Sequence, residues 1–180
     1  DWSFTFRQGI PFHFDWGEFT AADVEHTWSL LVSDDSVSTR KSLWETATPE
    51  VTGKYSMIFR FDPPMIDGAR LFSRLNGDML IYSKAQWDAE GVEGYDRAPA
   101  GTGSYRFVER KLGESVNYER VAGHYSENPE FEELEMVWAT EPVTRLAMLL
   151  TDEVHASDID RELQSDAERA GMVVIGANNE

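Results

Sequence analysis

Three stretches of this chain alternate between apolar and polar residues, and this period of two constrains its fold more than any other feature. The stretches are residues 2–7, 54–61 and 134–138. A period of two places every second side chain on one face of a β-strand. Between the strands the apolar spacing becomes helical, as at Val24, Trp28 and Leu31. Strands that alternate with helices predict an α/β fold.

Short polar motifs predict where two helices begin and end. Thr20 with Asp23 three residues later, and Ser83 with Gln86, have the spacing of a capping box. We therefore expect one helix to begin after Thr20 and another after Ser83. Gly91 predicts the end of the second helix, because glycine readily adopts the left-handed conformation of a C-cap.

The remaining predicted elements are shorter. They are a helix at 71–75 that ends at 76–77, strands at 79–82 and 172–175, a hairpin over 105–118, and helices that begin near 142 and 157. Residues 91–103 contain four glycines and one proline. This composition predicts the boundary between two substructures.

The charge balance argues against nucleic acid as a partner. Among the 180 residues, 33 are acidic and 16 are basic, which gives a formal net charge of −17. A nucleic-acid surface requires a basic stripe that displaces counterions from phosphates. The densest basic groups are only the pairs Arg40-Lys41 and Arg110-Lys111. We therefore expect no nucleic-acid partner.

Cysteine usage and hydropathy exclude further classes. The chain contains no cysteine, which removes disulfides, thiolate catalysis and iron–sulfur clusters. No apolar run approaches the roughly 20 residues of a membrane-spanning helix. Any contact with a membrane would therefore be made through a partner, or through an anchor that this sequence does not include.

The sequence predicts no catalytic residue, no metal ligand and no cofactor. The four histidines are His13, His26, His124 and His155. They lack the spacing of a zinc-binding helix, and no Gly-x-Ser-x-Gly pentapeptide marks a nucleophile. Gly101-Thr102-Gly103 precedes an aromatic strand, whereas a dinucleotide-binding loop follows a strand and opens a helix. Acidic pairs such as Asp34-Asp35 and Glu132-Glu133 are expected by chance in so acidic a chain.

The tryptophans divide into two groups by their surroundings. Trp2, Trp28 and Trp138 lie on apolar stripes, so we expect them in the core. Trp16 and Trp44 lie in polar or irregular stretches. A tryptophan in such a place can offer a flat, rigid wall to a ligand.

Four stretches of the chain, read together and in order, resemble the extracellular solute-binding protein family 5. They are Trp2–Val24, with a strand, an aromatic-rich link and a Thr-capped helix; Ala98–Phe107, "APAGTGSYRF"; Gly113–Tyr125, "GESVNYERVAGHY"; and Leu134–Ile159, "LEMVWATEPVTRLAMLLTDEVHASDI". The sequence departs from the family pattern at Ser104, at Thr140-Glu141 and at His155, and it lacks the family's asparagine-proline pair near Tyr125. The family comprises the receptors for peptides, nickel complexes and related solutes in ABC importers.

The resemblance implies a partial periplasmic-binding-protein type II fold. Residues 1–98 would form a small α/β insert lobe, and residues 99–180 part of the first large lobe. Family members are considerably longer, so a preceding segment and the opposing lobe would lie outside this sequence. The implied function is non-catalytic: the receptor captures a peptide or similar small solute, in the periplasm or outside the cell, and delivers it to a membrane permease.

Three residues are candidates for the solute-binding cleft by their approximate position. Trp44 follows the first helix, in a region that contributes a cleft wall in some family members. Arg74 and Asn76 end a short helix in the same lobe, and an arginine there can bind a solute carboxylate through two hydrogen bonds.

Two alternatives from other classes stay open at this point. The first is a hydrolase that acts on peptides or sugars through paired carboxylates. The second is a cytoplasmic interaction domain that has no small-molecule ligand.

Overall fold

A computed structural model describes residues 1–72 and 79–176 of the chain. The strands are β1 (Trp2–Thr5), β2 (Ala47–Gly53), β3 (Ser56–Phe61), β4 (Tyr105–Lys111), β5 (Ser115–Arg120) and β6 (Glu133–Val137). The helices are α1 (Ala21–Leu31), α2 (Lys41–Trp44), α3 (Gly68–Leu71), α4 (Lys84–Arg97), α5 (Pro142–Leu150) and α6 (Gln164–Arg169). Single 3-10 turns lie at His13–Asp15 and Arg161–Leu163. The predicted mixed α/β class is confirmed.

The first sheet is antiparallel, with the order β1-β3-β2. Trp2 pairs with Phe59, and Ala47 pairs with Phe61. The alternating residues of β1 and β3 were predicted as strands, but β2 was not. β2 is an edge strand that contains Pro49, and an edge tolerates proline because one side of the strand needs no ladder bond.

An aromatic core packs between this sheet and the helices that follow its strands. The buried residues are Ala21, Val24, Trp44, Ala47, Met57, Phe59, Phe61 and Leu71. Phe72 lies at the centre of the ring contacts, with centroids 4.5 Å from Phe4, 5.1 Å from Phe59 and 5.5 Å from Trp44. Aromatic pairs at such distances contribute about 0.5–1.5 kcal/mol each beyond their buried area.

Buried polar side chains connect α1 to the start of α4. The Asp23 carboxylate accepts hydrogen bonds from the backbone N–H of Thr20 (2.8 Å) and of Lys84 (2.9 Å), so one side chain caps two helices. The Thr27 hydroxyl accepts a bond from the N–H of Tyr82 (3.0 Å). The predicted strand at 79–82 is wrong, because here a side chain rather than a neighbouring strand binds the backbone.

Helix α4 begins where the sequence predicted and breaks at the predicted glycine. The Ser83 hydroxyl accepts a hydrogen bond from the N–H of Gln86 at 3.3 Å. Gly91 has φ 65° and ψ −166°, a conformation that only glycine adopts easily. The chain returns to helix after this break and continues to Arg97.

The second sheet has the order β4-β5-β6, and β4 and β5 form the predicted hairpin. β6 also lies where the alternation predicted a strand, but all five of its residues are exposed. Trp138, expected in a core, is 69% exposed, so that prediction is wrong. The alternation does mark a strand, but no described residues bury its apolar side chains.

The chain divides into two compact units. The first comprises Asp1–Glu109 and Asn117–Leu134, and the second comprises Arg110–Val116 and Glu135–Glu180. The first unit contains the aromatic core. The predicted division into lobes at residues 98 and 99 refers to a longer protein, and it remains a prediction.

In the second unit, Arg145 on α5 connects three backbone segments. α5 begins at Pro142, as predicted from the tolerance of proline in the first helical turn. The Arg145 guanidinium donates hydrogen bonds to the carbonyl oxygens of Ala139 (3.0 Å), Thr140 (2.7 Å) and Asp158 (3.0 Å). These bonds hold the start of the helix to the segments on both sides of it.

The predicted elements near the end of the chain are only partly confirmed. The helix expected from residue 157 is shorter and comprises a 3-10 turn and α6. The buried strand expected at 172–175 is wrong, because Val173 and Ile175 are 88% and 91% exposed. A strand requires a hydrogen-bonded neighbour, and these residues join no ladder within the described part of the chain.

Within residues 1–72 and 79–176, no helix has the length and apolar character needed to cross a membrane.

Candidate functional site

A concave pocket with a volume of about 290 Å³ lies within the first unit. Five aromatic residues line it: Tyr82, Tyr95, Tyr105, Phe107 and Tyr118. His13, Leu80, Ile81 and residues 99–101 and 103 complete the lining. We call this site the aromatic pocket. Small-molecule sites are usually concave and mostly apolar, with a few fixed polar groups.

One wall of the aromatic pocket belongs to residues 98–104, which we call the clamped segment. Four successive carbonyl oxygens of this segment accept hydrogen bonds from other parts of the chain. The donors are the His13 N–H to Gly101 (2.9 Å), His124 Nε2 to Thr102 (2.9 Å), His13 Nε2 to Gly103 (2.8 Å) and the Val121 N–H to Ser104 (2.9 Å). Two histidines that are far apart in the sequence therefore meet on one loop.

Helix α4 holds the other end of the clamped segment. The buried Gln86 side chain donates a hydrogen bond to the Ala98 carbonyl oxygen (2.8 Å) and accepts one from the Ala100 N–H (2.9 Å). The Tyr95 hydroxyl donates to the Ala100 carbonyl oxygen at 2.6 Å and accepts from the Ser83 N–H at 3.1 Å. The segment is therefore fixed along its length by side chains of α4 and by the two histidines.

The hydrogen bonds assign a proton to one nitrogen of each imidazole. A nitrogen that bonds to a carbonyl oxygen must carry a proton, so Nε2 is protonated in His13 and in His124. His124 Nδ1 lies 3.1 Å from both the backbone nitrogen and the carbonyl oxygen of Glu127. Burial lowers the pKa of His13 below its usual 6.5; the bond to Gly103 opposes this shift, and the nearby Arg106 and His124 add to it. His13 is therefore a neutral group at pH 7.

A second concavity, with a volume of about 470 Å³, lies beside residues 9–18 of the same unit. The Glu18 carboxylate in its lining accepts hydrogen bonds from the Tyr55 hydroxyl (2.7 Å), from Lys54 Nζ (2.9 Å) and from the Gly9 N–H. The bonds from Tyr55, Lys54 and Gly9, in that order, lower the pKa of Glu18 to about 2. This carboxylate already accepts hydrogen bonds from three groups of the chain, so it has little capacity left for a ligand. We therefore take the aromatic pocket as the candidate site.

Of the three predicted cleft residues, one, Trp44, lies within the described part of the chain. Trp44 has no exposed surface and packs in the aromatic core, so its ring offers no face to a solute in this chain. Arg74 and Asn76 lie outside the described residues. Trp16 is half-buried and lies outside the lining of the aromatic pocket.

Sequence reasoning missed the residues that form the aromatic pocket. His13 and His124 were interpreted as scattered histidines, because their meeting depends on contacts between distant segments. One signal was present: the aromatic residues Tyr105, Phe107 and Tyr118 have the spacing of one face of the predicted hairpin. The sequence predicted the hairpin without a role for this face, which lines the pocket.

The described residues contain no group of three or more histidine or acidic side chains that could hold a metal ion. No carboxylate of the described residues lines the aromatic pocket either. Its polar groups are one imidazole, the tyrosine hydroxyls and the backbone. Such a surface can bind a neutral or apolar group, and it provides no pair of acids for hydrolysis.

A preformed apolar concavity on an α/β scaffold is typical of a protein that binds small molecules. The sequence matches the family described as bacterial extracellular solute-binding proteins, family 5 middle, over residues 1–177. The chain therefore belongs to this family. A comparison with curated protein sequences found no match.

Solved structures share the fold. The protein MoaA from A. tumefaciens R10, in complex with mannopinic acid, matches with a TM-score of 0.80 and 17% identity over 93% of this chain. NikZ from Campylobacter jejuni, in complex with Ni(L-His), matches with a TM-score of 0.78 and 19% identity over 92%. The oligopeptide-binding protein AppA from Bacillus subtilis, in complex with a nonapeptide, matches with a TM-score of 0.75 and 21% identity over 93%.

The chain spans about a third of each of these related proteins: 34% of MoaA, 33% of NikZ and 34% of AppA. The fold is therefore part of the periplasmic-binding-protein type II architecture, as the resemblance implied.

Proposed function

We propose that this chain is part of a receptor that captures a small solute or peptide and delivers it to the membrane permease of an ABC importer. The observation that carries the proposal is the match to the solute-binding family over nearly the whole chain, residues 1–177. The receptor acts in the periplasm or outside the cell, and it makes and breaks no bond of its solute.

The structural neighbours support the binding of a small solute, but they do not identify which solute this chain binds. MoaA is described with mannopinic acid, NikZ with a nickel–histidine complex and AppA with a nonapeptide. Their identity to this chain is between 17% and 21%, so they support the shared architecture and leave the solute open. We propose a peptide or a comparably small organic solute.

The hydrolase alternative has weaker support than the receptor. The pair Asp34-Asp35 is exposed on the loop after α1. Glu132-Glu133 is also exposed, at the start of β6, and neither pair lines the aromatic pocket. A receptor predicts no turnover of generic peptide or glycoside substrates. Turnover that disappears when a single carboxylate is replaced would favour the hydrolase.

The first experiment measures the mass and the cell fraction of the native protein. An antibody raised against the 180-residue chain is used on separated fractions of the source organism. We expect a band well above 20.5 kDa in the periplasmic or extracellular fraction. A band of 20.5 kDa in the cytoplasm would contradict the receptor and would favour an interaction domain.

The second experiment compares solute binding by the native protein and by the 180-residue chain. Receptors of this kind close two lobes over the solute through a hinge motion. Because this chain spans only 34% of a receptor such as MoaA, we expect it to bind solutes weakly or not at all when it is alone. Tight, saturable binding of a peptide by the isolated chain would contradict this expectation.

A further inference from the structure

We propose that the aromatic pocket is a subsite for an uncharged aromatic or aliphatic group of the solute. The inference rests on the proposed function, and it deepens that function by naming the kind of chemical group that this part of the receptor binds.

Two pairs of aromatic rings form part of the pocket wall, and the other lining residues complete it. Tyr82 and Tyr95 have ring centroids 4.8 Å apart, with planes inclined at 44°. Phe107 and Tyr118 meet edge to face, with centroids 6.3 Å apart. A planar or branched apolar group that enters the pocket would exchange water for contact with these ring faces, which is the main source of favourable free energy in such sites.

Hydrogen bonds hold these walls in place before any ligand arrives. The Tyr95 hydroxyl is bonded to the backbone of Ala100 and Ser83, and the Tyr105 hydroxyl donates to the carbonyl oxygen of Phe131 at 2.9 Å. The clamped segment forms the adjacent wall, and its carbonyl oxygens are already bonded. A site that needs little reordering loses less entropy when it binds a ligand.

The electrostatics of the pocket select against a charged group. The chain has a net charge of −17, but within residues 1–72 and 79–176 no carboxylate, lysine or arginine lines the pocket. His13 uses its Nε2 proton on Gly103, and burial favours the neutral form of its ring. A charged group would therefore lose water without gaining an ionic partner, so it should bind more weakly than an uncharged one.

The size of the pocket limits the occupant to one small group. About 290 Å³ lies at the lower end of the range of small-molecule sites, roughly 300–1,000 Å³. That space suits a single side chain or ring better than a whole peptide. Another segment of polypeptide is the competing occupant, and the experiment below distinguishes the two.

The experiment is an amide NMR titration of the 180-residue chain with three blocked amino acids. The probes are N-acetyl-phenylalaninamide, N-acetyl-leucinamide and N-acetyl-lysinamide. We expect the first two to bind with a dissociation constant on the order of 1 mM, as their small size implies. The shifts should centre on the amides of Gly101, Gly103 and Tyr105. The lysine probe should bind at least about tenfold more weakly, because its ammonium group finds no partner.

Matched variants separate the pocket from other apolar surfaces. Phe107→Ala should weaken binding of the phenylalanine probe about tenfold. Phe131→Ala is the control, because Phe131 is 75% exposed and lies outside the lining. Gly101→Leu tests the site by filling it: a Cβ there would lie at an ordinary contact distance of 3.8 Å from His13 Cε1. This variant should keep its melting temperature and lose binding.

The outcomes distinguish this inference from the proposed function. Equal effects of the two phenylalanine variants, equal binding of the three probes, or shifts confined to residues 136–150 would overturn the subsite. A failure of all three probes to bind would also overturn the subsite, and another polypeptide segment would then be the occupant. The receptor function would survive each of these results if the native protein still captured a solute. A cytoplasmic protein of 20.5 kDa would instead contradict the receptor, whatever the probes show.

Discussion

Gln86 is 99% buried and uses its amide to hold the clamped segment against α4. Its two bonds to the backbone, at Ala98 and Ala100, have no substitute within the described residues. An apolar side chain of similar size would preserve packing but leave a buried carbonyl oxygen and a buried N–H unpaired. A buried polar group without a partner costs free energy equivalent to a lost hydrogen bond or more.

We therefore expect Gln86→Leu to lower the free energy of unfolding by about 2–4 kcal/mol, as measured by urea denaturation. Gln164→Leu is the matched control, because within the described residues the Gln164 amide bonds only to the exposed Glu168 at 2.8 Å. That change should cost less than about 0.5 kcal/mol. Equal losses in the two variants would show that the bonds to the clamped segment are not what stabilises the first unit.

His13 makes the stability of the chain depend on pH. Its folded-state pKa is lowered from 6.5, mainly by burial, so the unfolded chain takes up a proton more readily than the folded chain. The stabilisation is therefore fully present above pH 6.5 and is lost as the pH falls below this value through the lowered folded pKa. His26, whose pKa burial also lowers, contributes in the same direction.

His13→Gln should reduce this loss of stability between about pH 7.5 and about pH 5, because an amide can donate to Gly103 without titrating. The measurement is urea denaturation at a series of pH values. His155→Gln is the control at an exposed histidine, and its pH profile should match that of the original chain. A profile of His13→Gln that is equally steep would exclude His13 as the source.

At the scale of elements, the break in α4 depends on one glycine. Gly91 has φ 65° and ψ −166°, where any side chain is strained. Gly91→Ala should therefore lower the free energy of unfolding by about 1–3 kcal/mol, measured by thermal or urea unfolding. Gly176→Ala, where an added Cβ meets nothing within 4 Å, should change it by less than about 0.5 kcal/mol. A neutral Gly91→Ala would mean that α4 can straighten through this position.

The sequence predicted correctly those elements whose ends are set by interactions between residues close together in the chain. Thr20 with Asp23 and Ser83 with Gln86 are local motifs, and both helices begin where these motifs lie. The strand expected at 79–82 failed because the Tyr82 N–H bonds to Thr27, which is 55 positions away. Alternation reports which residues share a face, but it does not report what will bind the backbone.

The candidate site was less predictable than the fold for the same reason. Trp44 stands in a polar stretch, yet contacts with Phe59 and Phe72 place it in the core. His13 and His124 carry no local signal, because each acts on the clamped segment from a distant part of the chain. Family resemblance supplied the architecture of the receptor, but it did not supply these contacts.

For the whole molecule, the second unit leaves much of its apolar surface uncovered. Its exposed apolar residues include Met136, Val137, Trp138, Val143 and Leu150. Exposed apolar surface promotes association in water. The 180-residue chain should therefore self-associate as its concentration rises, despite a net charge of −17 that opposes association.

Trp138→Lys should reduce this self-association, measured by sedimentation velocity over a range of concentrations. Val37→Lys is the control, because Val37 is 98% exposed and belongs to the first unit. If both variants sediment as the original chain does, association does not involve the exposed face of the second unit.

The bonds of the clamped segment also have a consequence for how the chain folds as it is synthesised. Gly103 bonds to a histidine that is synthesised 90 positions earlier. Thr102 bonds to one that is synthesised 22 positions later. The loop therefore leaves the ribosome before two of its donors, His124 and the Val121 N–H, exist. Contacts so distant along the chain are slow to form, because a long stretch must first be ordered between them. We therefore expect the wall of the aromatic pocket to become native only after residue 124 has emerged.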